Sequence, residues 1–168
     1  MRERPETWLR ERGAQNDLLT WAAAYDDFPA LWQACPRGDW LLAVAVVRGV
    51  EPGLIERAML AVARLALDHL DDDREEIAAL LVAPREDRAR ASVAIDARAS
   101  AVESPALSSA LGAIALALSA RIEDAASVPS LVAQAAVFDA GDCAMMPALS
   151  YAQKRSAELV RELIPSIA

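Results

Sequence analysis

His69 is the residue with the clearest catalytic potential, because it is the single histidine of the chain. A nucleophilic Ser–His or Cys–His pair would have to use it as the base, and Asp68 or Asp72 could orient its ring. His69 also continues the apolar stripe of its predicted helix near the C-terminal end, where the helix dipole favours a protonated ring. We interpret it as a partly buried structural histidine. A small-molecule binder or enzyme that uses His69 with nearby carboxylates remains an alternative.

The acidic run Asp71, Asp72 and Asp73 resembles a cation-binding cluster. An EF-hand needs alternating oxygen ligands, a central glycine and a distal glutamate, and that pattern does not follow here. Asp73 as a helix cap, with Glu75 and Glu76 in the first helical turn, explains the segment as a solvated loop. We therefore predict no metal site, and we interpret the three aspartates as a speculative interaction surface for a basic partner.

Two cysteines, Cys35 and Cys143, lie far apart in the sequence without metal-ligand spacing. Reduced thiols in a cytoplasmic protein are the favoured interpretation. Cys143 precedes Met145 and Met146, so we expect a buried structural thiol there rather than a reactive one. No Gly-rich phosphate loop, His-Glu-x-x-His or Cys-x-x-Cys motif is present. The sequence predicts no catalytic residue, no cofactor and no enzymatic activity.

The charge balance narrows the range of partners. The formal net charge is −8, and a negative surface repels nucleic acid and anionic membranes alike. The longest apolar stretch, 106–120, is shorter than the ~18–20 residues that span a bilayer and contains three serines. We expect a cytoplasmic protein that binds neither nucleic acid nor membrane.

All four tryptophans, Trp8, Trp21, Trp32 and Trp40, fall in the first 40 residues. Large rings close together in sequence can form one local packing unit, because each buries roughly 150–250 Å². Trp32 and Trp40 stand on apolar stretches and are expected in the core. Trp8 lies among charged residues, so it is the tryptophan that we expect to be exposed, and it joins the speculative interaction surface.

The elements that must position these residues are helices. The chain has 38 alanines among 168 residues and only six glycines, and helix formers dominate throughout. We predict an all-α single domain, 1–168, in which a Trp-rich unit (1–50) packs on Ala-rich helices (51–168). About nine or ten helices are expected, as a compact bundle with orthogonal or up-and-down packing.

Turn and cap residues give the expected helix limits. Asp27 and Asp39 are predicted N-caps, the latter for a helix over 40–48. A continuous helix is predicted over 51–70. Ser104 starts an apolar helix at the centre of the domain, where Gly112 indicates a close helix–helix crossing. Gly141 is expected to cap the helix that follows Pro129.

The segment 31–50 and the helix after it resemble a family of small bacterial helical proteins described as putative immunity proteins of toxin systems. The residues that carry the resemblance cover about 31–75 and include a Trp, a Cys, an acidic-Trp-Leu-Leu step and an Arg- and Leu-bearing helix: Trp32, Cys35, Asp39, Trp40, Leu41, Leu42, Ala61, Arg64 and Leu67. The resemblance implies a role in binding a protein partner.

The expected function is therefore a non-enzymatic protein-binding module of unidentified partner, of immunity type if that partner is a toxin. The acidic surface would suit a basic partner by electrostatic steering. The first alternative is a self-associating structural protein, a homodimer whose Ala-rich helices pair across a two-fold axis. The second is the ligand binder or enzyme built on His69.

Overall fold

The computed structural model describes residues 4–70 and 73–167, and these residues form helices joined by short turns, without a β-strand. The predicted all-α class, with nine or ten helices, is confirmed. The α-helices within the described residues are α1 (Pro5–Glu11), α2 (Asn16–Ala22), α3 (Phe28–Ala34), α4 (Gly38–Val47), α5 (Pro52–Ala63), α6 (Arg74–Leu80), α7 (Arg85–Ala101), α8 (Pro105–Ser119), α9 (Ser127–Ala140) and α10 (Met145–Leu163). Two 3-10 helices cover Arg64–His69 and Ile122–Asp124.

Local sequence signals set several of these limits as predicted. The Asp27 carboxylate accepts a hydrogen bond from the amide of Ala30 at 2.8 Å and caps α3. The Ser104 hydroxyl accepts one from the amide of Leu107 at 3.3 Å and caps α8. Gly141 ends α9 with a positive φ of 67°, a conformation that costs glycine little.

Two of the predicted limits are wrong. Asp39 does not cap α4, which already begins at Gly38, because its carboxylate is held by the Arg37 side chain instead. The predicted helix over 51–70 is α-helical only to Ala63 and then tightens into the 3-10 helix Arg64–His69. Such tightening is common at the C-terminal ends of α-helices, and it places His69 in a 3-10 turn instead of the predicted α-helix.

Helix α8 lies at the centre of the domain, as its all-round apolar sequence predicts. It packs against α7, α9 and α5, and Ala110, Ala113 and Ala117 on it are fully buried. Gly112 is not what permits the close packing, contrary to our expectation. A Cβ at Gly112 would lie 3.5 Å from Leu131 Cδ1, which is an ordinary van der Waals contact.

Helix α10 closes the bundle by packing on α9, α4 and α5. Side-chain-to-backbone hydrogen bonds connect its C-terminal end to the region of α3. The indole Nε1 of Trp32 donates to the carbonyl of Ile164 at 3.0 Å, and Arg161 Nη1 donates to the carbonyl of Cys35 at 2.6 Å. Buried side chains from both the Trp-rich region and the Ala-rich helices belong to one continuous core.

The tryptophans occupy three environments rather than one packing unit. Trp8 meets Phe28 edge to face with ring centroids 5.2 Å apart. Trp21 packs on Trp40 at 5.5 Å. Trp32, fully buried, points to the C-terminal end of α10. The rings therefore connect different helices to the core and do not form a separate subdomain.

Candidate functional site

An open groove runs along one side of α9 and has two adjoining lobes. The first lobe has a volume of about 510 Å³ and the second about 260 Å³. Helix α9 lines them along most of its length, with side chains that include Ser127, Pro129, Ser130, Leu131, Ala133, Gln134, Val137 and Phe138. This lining covers eleven helical rises, about 16 Å. We call the two lobes together the α9 groove.

The walls of the first lobe are mainly apolar. Helices α1, α2 and α4 contribute these side chains opposite α9: Leu9, Leu18, Trp40, Val44 and Val47. Val47 is 46% exposed although it belongs to a helix that is otherwise largely core. The larger lobe therefore offers an apolar cleft of the size that small ligands or a few anchoring side chains fill.

A polar bridge separates the two lobes and lines both of them. Arg37 grips Asp39 with two parallel hydrogen bonds, Nε to Oδ1 at 3.1 Å and Nη2 to Oδ2 at 2.5 Å. The hydroxyl of Ser130 on α9 lies 3.4 Å from the same Oδ2. The hydrogen bond to Asp39 is the main cause that raises the pKa of Arg37 above its usual value. The ion pair therefore lies at the start of α4, and the contact between Asp39 and Ser130 joins it to α9.

Trp40 forms the floor of the first lobe beside this bridge. The Arg37 guanidinium stacks 4.2 Å from the centre of the Trp40 ring. The ring of Trp21, on α2, also packs against the Trp40 ring. The indole Nε1 of Trp40 is buried and has no acceptor among the described residues. Trp40 is half-buried and packs against the hydrophobic core, in agreement with its expected position.

The second lobe opens onto exposed apolar side chains at the α9–α10 turn. Val137, Phe138 and Leu149 line it, and Phe138 is 54% exposed. Met145 and Met146 lie one helical turn before Leu149 on α10 and are exposed as well. We call Phe138, Met145, Met146 and Leu149 the apolar corner. Methionines suit binding surfaces, because their unbranched side chains adapt to different shapes.

Apolar and uncharged polar side chains make up most of the lining of the α9 groove. Among the described residues neither lobe is lined by histidine or cysteine, so neither has the base that a nucleophilic pair needs. Of the ionic side chains that line the groove, Arg37 and Asp39 neutralise each other, and Arg12 lies at the edge of the first lobe. Sequence reasoning missed this site. The one available signal was the spacing of apolar and small polar residues along α9, which is also what an ordinary packed helix shows.

Trp8, predicted to be the exposed tryptophan, is buried instead, with 6% of its surface accessible. Its faces are covered by Phe28 and by two guanidinium groups, with Arg12 4.0 Å and Arg48 5.2 Å from the ring centre. The charged neighbours that suggested exposure in fact cover the indole. Trp8 is therefore a core residue and not part of an interaction surface.

The speculative acidic surface is described only in part. Asp71 and Asp72 lie outside the described residues. Asp73 stands at the N-cap position of α6 but makes no side-chain capping bond. Its carboxylate pairs with Arg98 of α7 instead, and this pair is partly exposed. The predicted capping role is wrong, and the charge of Asp73 is compensated by a neighbouring helix.

His69 lies at the end of the 3-10 helix with its side chain 13% exposed. Its Nδ1 is 3.1 Å from Oδ2 of Asp139 at the end of α9. The carboxylate beside it is thus a residue 70 positions away, not Asp68, which pairs with Arg74. His69 is not among the residues that line either lobe of the α9 groove. The ring is partly buried, as expected, and it contacts Asp139 where α9 ends.

The two thiols are unpaired and differ in environment. Cys35 is buried and its Sγ lies 3.4 Å from the carbonyl of Arg37. Burial is the main cause that raises the pKa of the Cys35 thiol to about 11. Cys143 is exposed in the turn before α10, so the expectation of a buried thiol is wrong for this residue. The turn places it outside the core because α10 begins only at Met145.

Among the described residues, no group of three or more His, Cys, Asp or Glu side chains is arranged to hold a metal ion. None of the helices described is both long enough and apolar enough to cross a bilayer. No protein-family model, curated protein or solved structure matches the chain.

Proposed function

We propose that this chain is a non-enzymatic protein-binding module that receives a segment of its partner in the α9 groove. One observation carries the proposal: two largely apolar lobes adjoin along α9, and the second is lined by the exposed side chain of Phe138. Scattered exposed apolar residues are ordinary on protein surfaces, but a cleft continuous with such residues is typical of an interaction site.

The polar bridge supports recognition of a specific partner. Asp39 is held by Arg37 and Ser130 within a mainly apolar cleft, so its position is fixed before any partner arrives. Because little ordering remains to be done, a fixed polar group lowers the entropy cost of association. Apolar lobes on either side would supply most of the binding energy, as anchoring pockets do at protein interfaces.

A toxin domain is the partner class that we propose, and it rests on the resemblance of residues 31–75 to putative immunity proteins. The two unpaired thiols favour a reducing compartment, and a cytoplasmic location is part of the proposal. Self-association is less favoured, because the Gly112 face expected to pair between copies lies against Leu131 of the same chain.

Photo-crosslinking from inside the groove tests the proposal. The crosslinker p-benzoylphenylalanine replaces Gln134, which is exposed and lines both lobes. A matched protein carries it at Val93, which is 72% exposed on α7 and lies outside the groove. After irradiation in cells of the source organism, we expect one discrete crosslinked protein from position 134 and none of that mass from position 93.

Two further variants connect the crosslink to the apolar surface. Val47→Ser with Phe138→Ser removes one exposed apolar side chain from the first lobe and one from the corner, and should reduce the crosslink at least tenfold. Val82→Ser with Val93→Ser makes the same change at exposed sites elsewhere and should leave it unchanged. Equal crosslinking from positions 134 and 93 would contradict the proposal. A crosslinked second copy of the chain would favour the homodimer instead.

A further inference from the structure

The charge of the α9 groove differs in sign from the charge of the protein. Three ionic side chains line its two lobes: Arg12, Arg37 and Asp39. Two are cations and one is an anion, whereas the whole chain has a net charge of −8. Arg37 and Asp39 neutralise each other across the polar bridge. Arg12 is therefore the one of these three side chains that no carboxylate lining the groove neutralises, and its ion-pair partner, the exposed Glu11, lies outside the two lobes.

Arg12 is held in place rather than free to move. Its guanidinium stacks 4.0 Å from the centre of the Trp8 ring, and its Nη1 donates to the carbonyl of Trp8 at 3.1 Å. Its ion pair with Glu11 is long, at 3.8 Å, and both side chains are exposed, so a carboxylate of a partner could replace Glu11 at modest cost. A fixed, partly solvated guanidinium beside an apolar cleft is suited to a carboxylate, which it can bind through two parallel hydrogen bonds.

The surroundings of the groove also favour one backbone form for its occupant. Both lobes lie between helices, and the described residues include no strand edge that an extended peptide could pair with. Binding must then come from side chains entering the lobes, as when an amphipathic helix lies in an apolar groove. The two lobes follow successive turns of α9, so anchors spaced by one or two helical turns would reach both.

We propose that the α9 groove binds an acidic amphipathic helix of the partner. The apolar face of that helix enters the two lobes, and an Asp or Glu at its edge pairs with Arg12. This inference rests on the proposed function and specifies the chemistry of the segment that is recognised. From its net charge, the chain was expected to bind a basic partner. At this groove we instead propose an acidic segment, because at short range the nearby charges outweigh the net charge of the protein.

Selection from a phage library of random 16-residue peptides tests the inference without knowledge of the partner. The intact protein is the bait, and clones are kept if they do not bind the Val47→Ser, Phe138→Ser variant but do bind the Val82→Ser, Val93→Ser control. We expect these groove-dependent peptides to be enriched in Asp and Glu, with apolar residues spaced three, four and seven apart. Enrichment in Lys and Arg, or no charge preference, would overturn the inference.

A synthetic copy of the strongest peptide then tests Arg12 directly. Arg12→Gln should raise the dissociation constant of this peptide about three- to fivefold, the effect of one partly exposed ion pair. A higher salt concentration should reduce the difference in affinity between the wild type and the variant. Arg12→Lys keeps the charge and should restore much of the affinity, which a packing defect at Trp8 would not allow. Arg57→Gln, the same change at an exposed arginine outside the groove, should have no effect.

The two proposals can fail separately. A crosslink from position 134 that is abolished by Val47→Ser with Phe138→Ser, together with selected peptides that lack acidic residues, keeps the binding module and rejects the acidic helix. A library that yields no groove-dependent peptide also rejects the helical occupant, while the crosslink alone decides whether the groove binds a protein.

Discussion

Gly38 of α4 lies directly against Ser156 of α10. A Cβ built on Gly38 would fall 2.6 Å from Ser156 Cβ and 2.9 Å from the Ser156 backbone carbon. Both residues are buried, and Gly38 lines the second lobe of the α9 groove next to the Arg37–Asp39 pair. The close packing of α4 on α10 at Gly38 therefore positions the neighbouring Arg37 and Asp39, the second of which contacts α9.

Gly38→Ala should destabilise the protein, because the added methyl group meets main chain that can move only with the whole of α10. Overpacking of this kind costs about 1–3 kcal/mol. Urea unfolding followed by tryptophan fluorescence would measure the change in the free energy of unfolding.

Gly53→Ala is the matched control, because Gly53 also lies in the first turn of a helix. A Cβ there would meet Oε1 of Glu51 at 2.7 Å, the far end of a flexible side chain that can move aside. We expect its stability to change by no more than about 0.5 kcal/mol, the range of ordinary surface substitutions. If the two variants lost the same amount of unfolding free energy, the close packing of α4 on α10 would not explain the effect of a side chain at position 38.

Ser156→Ala should leave the protein equally stable or make it more stable. The Ser156 side chain is fully buried, and its hydroxyl has no hydrogen-bond partner among the described residues. An unsatisfied buried hydroxyl costs about 1–3 kcal/mol, and alanine keeps the Cβ that fills the space. The expected gain in unfolding free energy is about 1 kcal/mol, measured by urea titration.

The same substitution at Ser104 should act in the opposite direction. Ser104 Oγ accepts a hydrogen bond from the Leu107 amide at the start of α8, and losing such a cap costs about 1 kcal/mol. A loss of stability in Ser156→Ala as large as that in Ser104→Ala would contradict the description of Ser156 as unpartnered.

Trp32→Phe should cost about 2–4 kcal/mol of stability. It removes the indole donor and leaves the Ile164 carbonyl unpaired in a site where Trp32 is fully buried, and the smaller ring also leaves a cavity. Gln33→Ala is the control, since exposed Gln33 makes a similar bond, 3.1 Å long, to the carbonyl of Pro165. Because water can replace that bond, Gln33→Ala should change stability by less than about 0.5 kcal/mol.

Sequence reasoning succeeded where one residue acts on its own neighbours. Asp27 and Ser104 cap helices because their oxygens reach amides three residues ahead, and Gly141 ends α9 because it accepts a positive φ. The all-α class followed from the same local preferences. Interactions of this range are encoded within a single turn of helix, so the sequence contains all the information they need.

The sequence was insufficient where the partner of a residue is distant. Asp39 resembles a cap, but its carboxylate is held by Arg37, two positions before it, and by Ser130, 91 positions away. The second of these partners cannot be found from local sequence. The orienting carboxylate of His69 belongs to Asp139, at the end of another helix. The α9 groove exists because α4 and α9 meet at a particular angle, and residue spacing within either helix does not determine that angle.

The two thiols should react at very different rates. Cys143 is exposed and Cys35 is buried, so Ellman's reagent at pH 8 should modify one thiol per chain promptly and the second only after unfolding in urea. A Cys143→Ser variant should then show no fast reaction. Prompt modification of two thiols in the folded wild-type protein would contradict the burial of Cys35.

Alkaline pH should destabilise the protein through Cys35. Burial raises the pKa of this thiol from its usual value of 9.0 to about 11, so the folded chain keeps a proton that the unfolded chain releases. The stability contributed by the neutral thiol is complete below pH 9. It falls between pH 9 and 11 by up to about 1.4 kcal/mol per pH unit.

Other groups also titrate in this range, so the comparison is with Cys35→Ala. We expect the free energy of unfolding of the wild type to fall more steeply than that of the variant between pH 8.5 and about 10.5, as measured by urea titration at each pH. Since tyrosine and lysine contribute equally to both proteins, the difference between the two curves isolates the thiol. Parallel curves would mean that Cys35 ionises as readily in the folded chain as in the unfolded one.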